Sequence, residues 1–466
     1  MMTRQLLFTG VSRFCMAVLS AAAFGCSDAG TGNDGELESI YRCDVVVPDS
    51  ECDTSKEPIV FIHGTFGSAT EISNPAQLFG SNGYCQDRFV AVEYDSLGGS
   101  PLGQLEALVD EVRERTGFDQ VVLAGHSQGT RHACEYLALH PEKVSHYLNL
   151  SGGCDGLGIS SLSLSSQNDL GRSVDGVRVP GPVHPPATAT QTQVTLEMED
   201  HVAVAGSKNA FVEMWKFLYG EEPRYTTIQC GQDPVVFDGK AVTLGDNVIR
   251  ANARVEVFEI DRLDHPWERG TPAQTVTADA GGHFRLELRR GIRYEIRQWD
   301  ADGTLLGYVY YAPFKRSNYL ARILSESQNP IVKGATSDAI VRGTGHAVMA
   351  GRYLGGVFRA DWGNSLTIDG AEVLTSDNAG RSSNVTGLFM FDANLNKQSD
   401  LGRVYNVSFL WGTDVFIDSS SPRWVDVRWR NEEGHTAELK VPNWDSGPPA
   451  SGNELDRNLA ALYLPH

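Results

Sequence analysis

Val121-Val122-Leu123-Ala124-Gly125-His126-Ser127-Gln128-Gly129-Thr130 is the strongest signal in the chain. Val121 to Ala124 is an apolar run with the length of a buried strand, and Gln128 to His140 has helical character, so Ser127 stands at a tight strand-turn-helix bend. Such a bend crowds the backbone, which calls for the small Gly125 and Gly129 on either side. It lifts the Ser127 hydroxyl above the sheet edge as a nucleophile. The first backbone N–H of the helix, on Gln128, is free to bind a developing oxyanion.

Upstream, Ile59-Val60-Phe61-Ile62 reads as a second buried strand. It runs into His63-Gly64-Thr65-Phe66-Gly67-Ser68, a loop suited to supply a second oxyanion donor from the Thr65 backbone N–H. His63 reads as a brace for that loop. A serine nucleophile needs a histidine base and a carboxylate, and on this scaffold they follow in the order Ser, acid, His. His132, His140 and His146 lie in the helix and strand just after Ser127, and His184 sits in a proline-rich loop. His201 follows the strand Gln191 to Leu196 and precedes a helix at Asn209 to Leu218, and is the expected base. Asp169, after the strand Ile159 to Ser165, is the expected acid, with Asp155 and Asp175 as alternatives. Glu199 and Asp200 adjoin the histidine and read as a solvated loop.

Around this centre, Phe89 to Glu93, Val144 to Leu150 and the helix Pro101 to Thr116 complete an alternation of strands and helices, hence a mostly parallel sheet covered on both faces. After Gly231 the pattern turns to alternating apolar and polar residues between Gly and Asp turns: Val255–Ile260, His283–Leu288, Arg293–Arg297 and Leu305–Tyr311. That predicts an all-β sandwich or barrel of antiparallel strands, with one short helix near Tyr319 to Ser325. Further strands are expected through Trp424–Trp429. The expected division is 1–26 signal peptide, 27–56 tether and N-terminal segment, 57–230 parallel-sheet domain, 231–330 β-domain and 331–466 second β-rich domain. No fixed-period repeat is present.

The chain has 466 residues with a net charge of −20. An acidic surface repels nucleic-acid phosphates and anionic bilayers, which argues against either as a general partner. Arg4 and Arg13 precede the apolar run Phe14 to Phe24, which ends in Ala23-Phe24-Gly25-Cys26. This reads as an export signal with a lipobox-like end, so that Cys26 would be lipidated and tethered to the outer membrane. Cleavage after Ala21-Ala22-Ala23, giving a free secreted protein, is the alternative. Cys43, Cys52, Cys85, Cys134, Cys154 and Cys230 then remain for disulfides in an oxidising compartment. Cys43 with Cys52, close in sequence, is the expected pair. No metal or organic cofactor is suggested, and oligomeric state cannot be read.

The chain resembles the α/β-hydrolase lipases and carboxylesterases, and within them a thermophilic archaeal lipase type with a C-terminal β-domain. The likeness extends to Asp200-His201-Val202 with Asn209 to Phe217, to Gly282 through Gly291 with Tyr294-Glu295, and to Tyr310 through Arg316. It implies cleavage of acyl esters by Ser127, His201 and Asp169, with no cofactor. Two departures stand out. The type's acid follows the sixth sheet strand, where this chain has Ser151. A lid insertion is also missing, because Ser127 lies only about 32 positions after Asp95. That implies an open site and soluble or shorter-chain esters. The same residues would suit an acyltransferase or a polyester depolymerase. A non-catalytic surface-binding protein on the same scaffold is the reading from another class. Aromatic residues of the β-region such as Tyr308, Tyr310, Tyr311, Phe314, Trp362, Trp411 and Trp424 read as β-core filling, with the holding of acyl chains as the alternative.

Overall fold

The structure, a computed structural model, describes residues 43–169, 172–174, 177–179, 181–327, 329–330, 348–380, 385–407, 409–443 and 459–466. The expected signal, Cys26 and the tether up to residue 42 lie outside the described residues, as does Asp175. Among the described residues no helix is long and apolar enough to cross a membrane.

In the first part, β1 (Ile59–Ile62), β2 (Phe89–Val92), β3 (Val121–His126), β4 (Val144–Leu150), β5 (Ser160–Asn168) and β8 (Gln191–Asp200) form one sheet in the order β2-β1-β3-β4-β5-β8. Every pairing is parallel. A short hairpin, β6 (Arg172–Val174) and β7 (Val177–Val179), interrupts the run from β5 to β8. The apolar runs of β1, β2 and the first part of β3 follow from burial on both faces. Along β1, Ile59 and Phe61 face one core and Val60 and Ile62 the other. Helices α1 (Ser73–Ser81) and α5 (Lys208–Tyr219) cover the first face through Phe79, Phe211 and Trp215. Helices α2 (Leu102–Thr116) and α3 (Gln128–Leu139) cover the second through Leu105, Val109, Val112 and Tyr136. Each such side chain contributes about 1.5–3 kcal/mol by leaving water. The helix ends are set locally. Gly117, at φ 76°, closes α2 with its N–H on the Arg113 carbonyl. After the single turn α4 (Ala203–Gly206), the Ser207 hydroxyl caps α5 by accepting from the Ala210 N–H.

The strand-rich remainder comprises β9 (Val235–Thr243), β10 (Arg254–Glu259), β11 (Gln274–Thr277), β12 (His283–Leu288), β13 (Tyr294–Trp299), β14 (Leu305–Tyr311) and β15 (Asn318–Ser325). It continues with β16 (Val348–Tyr353), β17 (Ser365–Ile368), β18 (Ala371–Glu372), β19 (Gly387–Phe391), β20 (Arg403–Val407), β21 (Leu410–Asp414), β22 (Trp424–Arg430), β23 (Thr436–Pro442) and β24 (Leu459–Leu464). One nine-stranded sheet, β11-β10-β13-β14-β24-β16-β19-β21-β20, serves two cores. Strand alternation makes this work: Tyr308 and Tyr310 of β14 and Leu462 of β24 enter one core, while Val309, Tyr311 and Tyr463 enter the other. The first core closes against β18-β17-β22-β23 and the second against β12-β9-β15.

Three expectations are corrected. Tyr319 to Ser325 is strand, not helix: β15 pairs in parallel with β9, and both its faces are buried, Ile323 against the β-core and Leu320 against the parallel-sheet core. The sheets are mixed rather than antiparallel, because β24 runs parallel to both neighbours. The disulfides are Cys43–Cys230, Cys52–Cys85 and Cys134–Cys154. Proximity along the chain does not decide the pairing. Val47 N–H bonds the Cys230 carbonyl at 2.8 Å and Asp53 N–H bonds the Gly83 carbonyl at 2.7 Å, so the N-terminal segment is laid beside distant cysteines.

Candidate active site

Ser127 ends β3 and opens α3 at φ 52°, ψ −117°, a strained conformation for a residue with a β-carbon. The strain is tolerated because the flanking glycines let the backbones close in. A β-carbon on Gly125 would stand 2.9 Å from the Gly129 carbonyl oxygen, and one on Gly129 only 2.2 Å from that of Ile62. Since main chain cannot yield as a side chain can, Gly129→Ala is expected to cost about 3 kcal/mol or more in denaturant unfolding. A cost near zero would show that the β1–α3 contact is looser than described.

His201 immediately follows β8. Its Nε2 lies 2.9 Å from Ser127 Oγ and its Nδ1 2.7 Å from Asp169 Oδ1. With Nδ1–H donating to the carboxylate, Nε2 keeps the lone pair that accepts the serine proton. The register of β5 on β8 pairs Asn168 with Asp200, so the next residue of each strand, Asp169 and His201, meet at the sheet edge. Asp169 is buried, and its Oδ2 accepts from the hydroxyls of Ser151 at 2.6 Å and Ser165 at 3.1 Å. Ser151 thus binds the carboxylate from the strand end where the resembling type carries its own acid. Asp155 accepts from the Leu157 N–H, in a loop away from His201. The other histidines are engaged elsewhere: His132 with Glu135, His140 with Glu106, His146 with Ser145, and His184 with Ser163 and Thr195.

Among the described residues neither the Thr65 nor the Gln128 backbone N–H has an acceptor. Their loops are tied together: Thr65 Oγ1 donates to Gln128 Oε1 at 2.7 Å, Gln128 Nε2 to the Ser96 carbonyl at 2.9 Å, and Phe66 N–H to Ser96 Oγ at 2.8 Å. A β-carbon on Gly64 would stand 3.0 Å from Ser127 Cβ, so this loop passes directly beside the serine. His63 stacks on Tyr94 with ring centres 4.3 Å apart and braces the loop through the Gly64 carbonyl. The β-region holds the same loop. Asn247 donates to the Gly67 and Tyr94 carbonyls, and Arg322 bonds Glu93, which also receives the Ala69 N–H.

Several site residues carry no sequence signal. His126, buried next to the serine, has Nδ1 2.9 Å from Glu71 Oε2 and Nε2 2.9 Å from the His201 carbonyl. Both partners are acceptors, so both ring nitrogens must carry hydrogen, and His126 is an imidazolium. Burial alone pushes its pKa down; the Glu71 charge and hydrogen bond outweigh that and hold it above the ordinary value. Burial likewise pushes Glu71 up, and His126 outweighs it, leaving the carboxyl at about 2. Glu71 also receives the Gly64 N–H at 3.2 Å. One ion pair therefore ties the Gly64–Thr65 loop, the strand that leads into Ser127 and the His201 main chain. Asp200 is buried, not solvated, and caps the turn after His201 through the Val202 and Ala203 N–H groups. Glu199 is buried too, bonded by Asn209. Phe409, between β20 and β21, sits at φ 69° with its ring 6.4 Å from that of His201. An outlier of this kind in a bulky residue persists only where its surroundings hold it.

Residues 13–168 match the family model of the alpha/beta hydrolase fold, residues 233–328 that of a lipase C-terminal domain, and residues 358–450 a further C-terminal domain model. The parallel-sheet part thus has the alpha/beta-hydrolase fold, and the strand-rich part that follows it matches a lipase C-terminal domain model. Among solved structures it is similar to an alpha/beta hydrolase enzyme from sediment metagenome of the Mar Chica lagoon, Morocco. That pair is 16% identical over 35% of this chain and 89% of the other, with TM-score 0.26. A metagenome-derived lipolytic enzyme is 14% identical over 38% and 100%, TM-score 0.27, and a Bacillus subtilis carboxylesterase 11% over 37% and 86%, TM-score 0.26. No curated protein matches.

Proposed function

We propose that the protein is an exported serine hydrolase of carboxylic esters. The observation that carries this is the line Asp169–His201–Ser127, with distances of 2.7 and 2.9 Å, beside two backbone N–H groups without acceptors. Ser127 Oγ attacks the ester carbonyl carbon while its proton passes to His201 Nε2. Asp169 holds the imidazole in the required tautomer and stabilises its charged form, and the Thr65 and Gln128 N–H groups receive the oxyanion. His201 then gives the proton to the leaving alkoxide. Water, deprotonated by the same nitrogen, cleaves the acyl-enzyme and restores Ser127. Three disulfides support an oxidising, extracytoplasmic compartment. One helix, α2, occupies the connection from β2 to β3. That leaves little chain for a lid and favours soluble, shorter-chain esters. A fluorophosphonate probe is expected to label the chain once, at Ser127, and a p-nitrophenyl ester series to peak at short acyl chains. Absence of labelling in folded protein would overturn the reading.

A further inference from the structure

The rings of Phe409 and His201 are inclined to each other by only 24°, with centres 6.4 Å apart. That lies within the range over which aromatic pairs interact. The β-region does not use this ring to hold itself together. Leu410 and Trp411, the next two residues, are buried, and Trp411 belongs to the core that also takes Tyr308 and Tyr310. Phe409 is half-buried and belongs to none of the four apolar cores of the described residues. Its left-handed φ of 69° is costly for a side chain of this size. The strained turn before β21 thus sets the ring outside the sheet core and beside the His201 imidazole.

A run of bonds beginning next to His201 holds that turn. Asp200 accepts the Val357 N–H at 3.3 Å. The two parts of the chain close in here: a β-carbon on Gly206 would stand 2.9 Å from the Leu354 carbonyl oxygen, and one on Gly356 2.9 Å from Ala203 Cβ. Phe358, after Val357, bonds through its N–H to the Val385 carbonyl at 2.9 Å. The next two residues, Thr386 and Gly387, converge on the Phe409 carbonyl. It accepts both their N–H groups, at 3.0 and 3.1 Å, and the Thr386 hydroxyl at 3.1 Å. The ring is therefore placed against His201 by way of Asp200, Val357, Val385 and Thr386.

We infer that Phe409 is a specificity-determining residue, the wall of the leaving-alcohol pocket, and that it selects esters of aromatic alcohols. This rests on the roles proposed above for Ser127 and His201. In that mechanism His201 Nε2 protonates the leaving oxygen, which must then lie within about 2.6–3.2 Å of the nitrogen. The carbons of the alcohol extend from that oxygen along the His201 side of the site, where the Phe409 ring stands. The acyl chain leaves the carbonyl carbon in another direction. A flat apolar ring offers stacking and dispersion to a second flat ring and little to a methyl group. Once the acyl-enzyme has formed the alcohol is gone, so Phe409 acts on acylation.

The test compares benzyl butyrate with methyl butyrate on the full chain, reading the ratio of their kcat/KM values. In Phe409→Ala that ratio should fall about fivefold or more, and in Phe409→Tyr, which keeps the ring, it should stay within about twofold of the parent. Phe409→Leu keeps much of the bulk without the ring and should lower the ratio about threefold, which serves where the alanine variant does not fold. The order of a methyl ester series of differing acyl length should be the same in every variant. Fluorophosphonate labelling of the parent reports separately on the underlying mechanism. A folded parent that neither labels nor turns over would overturn both readings. A labelled, active parent whose benzyl-to-methyl ratio is unmoved by Phe409→Ala and Phe409→Leu, or whose acyl preference moves instead, would overturn the alcohol wall alone.

Discussion

Replacing Ser127 by alanine is expected to lower kcat for p-nitrophenyl esters by about 10⁵–10⁶-fold while the protein stays folded. In the reading proposed above Ser127, His201 and Asp169 act as one unit, so losing the attacking oxygen forfeits nearly all that the three supply together. Some rate over uncatalysed hydrolysis should survive, because the Thr65 and Gln128 N–H groups remain to hold an oxyanion. Stability should scarcely move, since among the described residues the Ser127 side chain makes one hydrogen bond, to His201, and is only partly buried. The combination to look for is abolished turnover and probe labelling, an unaltered unfolding midpoint, and ester affinity within a few fold. A variant retaining even a tenth of the parent kcat would mean that another residue performs the attack.

The second large effect is expected for Glu71→Gln, and it separates positioning from chemistry because Glu71 touches neither Ser127 Oγ nor the His201 ring. Removing one partner of a buried ion pair costs about 3–5 kcal/mol, because the other charge is left in a medium that cannot solvate it. His126 would then lose its proton at neutral pH. Its ring would have one N–H: either the residue 71 amide turns its nitrogen to Nδ1 and the Gly64 N–H loses its acceptor, or Nδ1 keeps the hydrogen and the His201 carbonyl loses its bond. A shift of about an ångström at His201 is enough to lower kcat by up to about 10²-fold. KM should change little.

The pH dependence gives this pair a signature of its own. Glu71 has a folded pKa of about 2, below its ordinary 4.5. Its contribution is present above pH 4.5 and drains away as the pH falls toward 2. His126 has a raised folded pKa. Its contribution is whole below the ordinary histidine value of 6.5 and is lost as pH rises through the folded value. The groups facing the pair, His63, Arg352, Asp169 and His201, act on both proteins alike. The parent should therefore lose stability on acidification from 4.5 to 2 with a slope that Glu71→Gln lacks. Parallel stability curves for the two proteins would sink the ion pair as described.

The parts of the site that could be read along the chain are those whose physics is local. A strand ending at Gly125, a glycine at 129 and the helix after it leave few conformations for Ser127, and chain order then singles out His201 after β8. The carboxylate is different. Asp155 and Asp169 both follow strands, and only the β5–β8 register, pairing Asn168 with Asp200, sets Asp169 against His201. Disulfide pairing has the same character: Cys43 meets Cys230 across 187 positions because the N-terminal segment is laid back onto the domain.

Glu71 and His126 are 55 positions apart and belong to no pattern. The sequence by itself determined the elbow, the alternation of strands and helices, and the change to β-structure after Gly231, since each follows from side-chain periodicity and backbone sterics over a few residues. Which acid meets the imidazole, which cysteines join, and which buried charges find partners were decided only by the tertiary structure. Those outcomes depend on strand register and on the desolvation of groups that no short stretch of chain brings together.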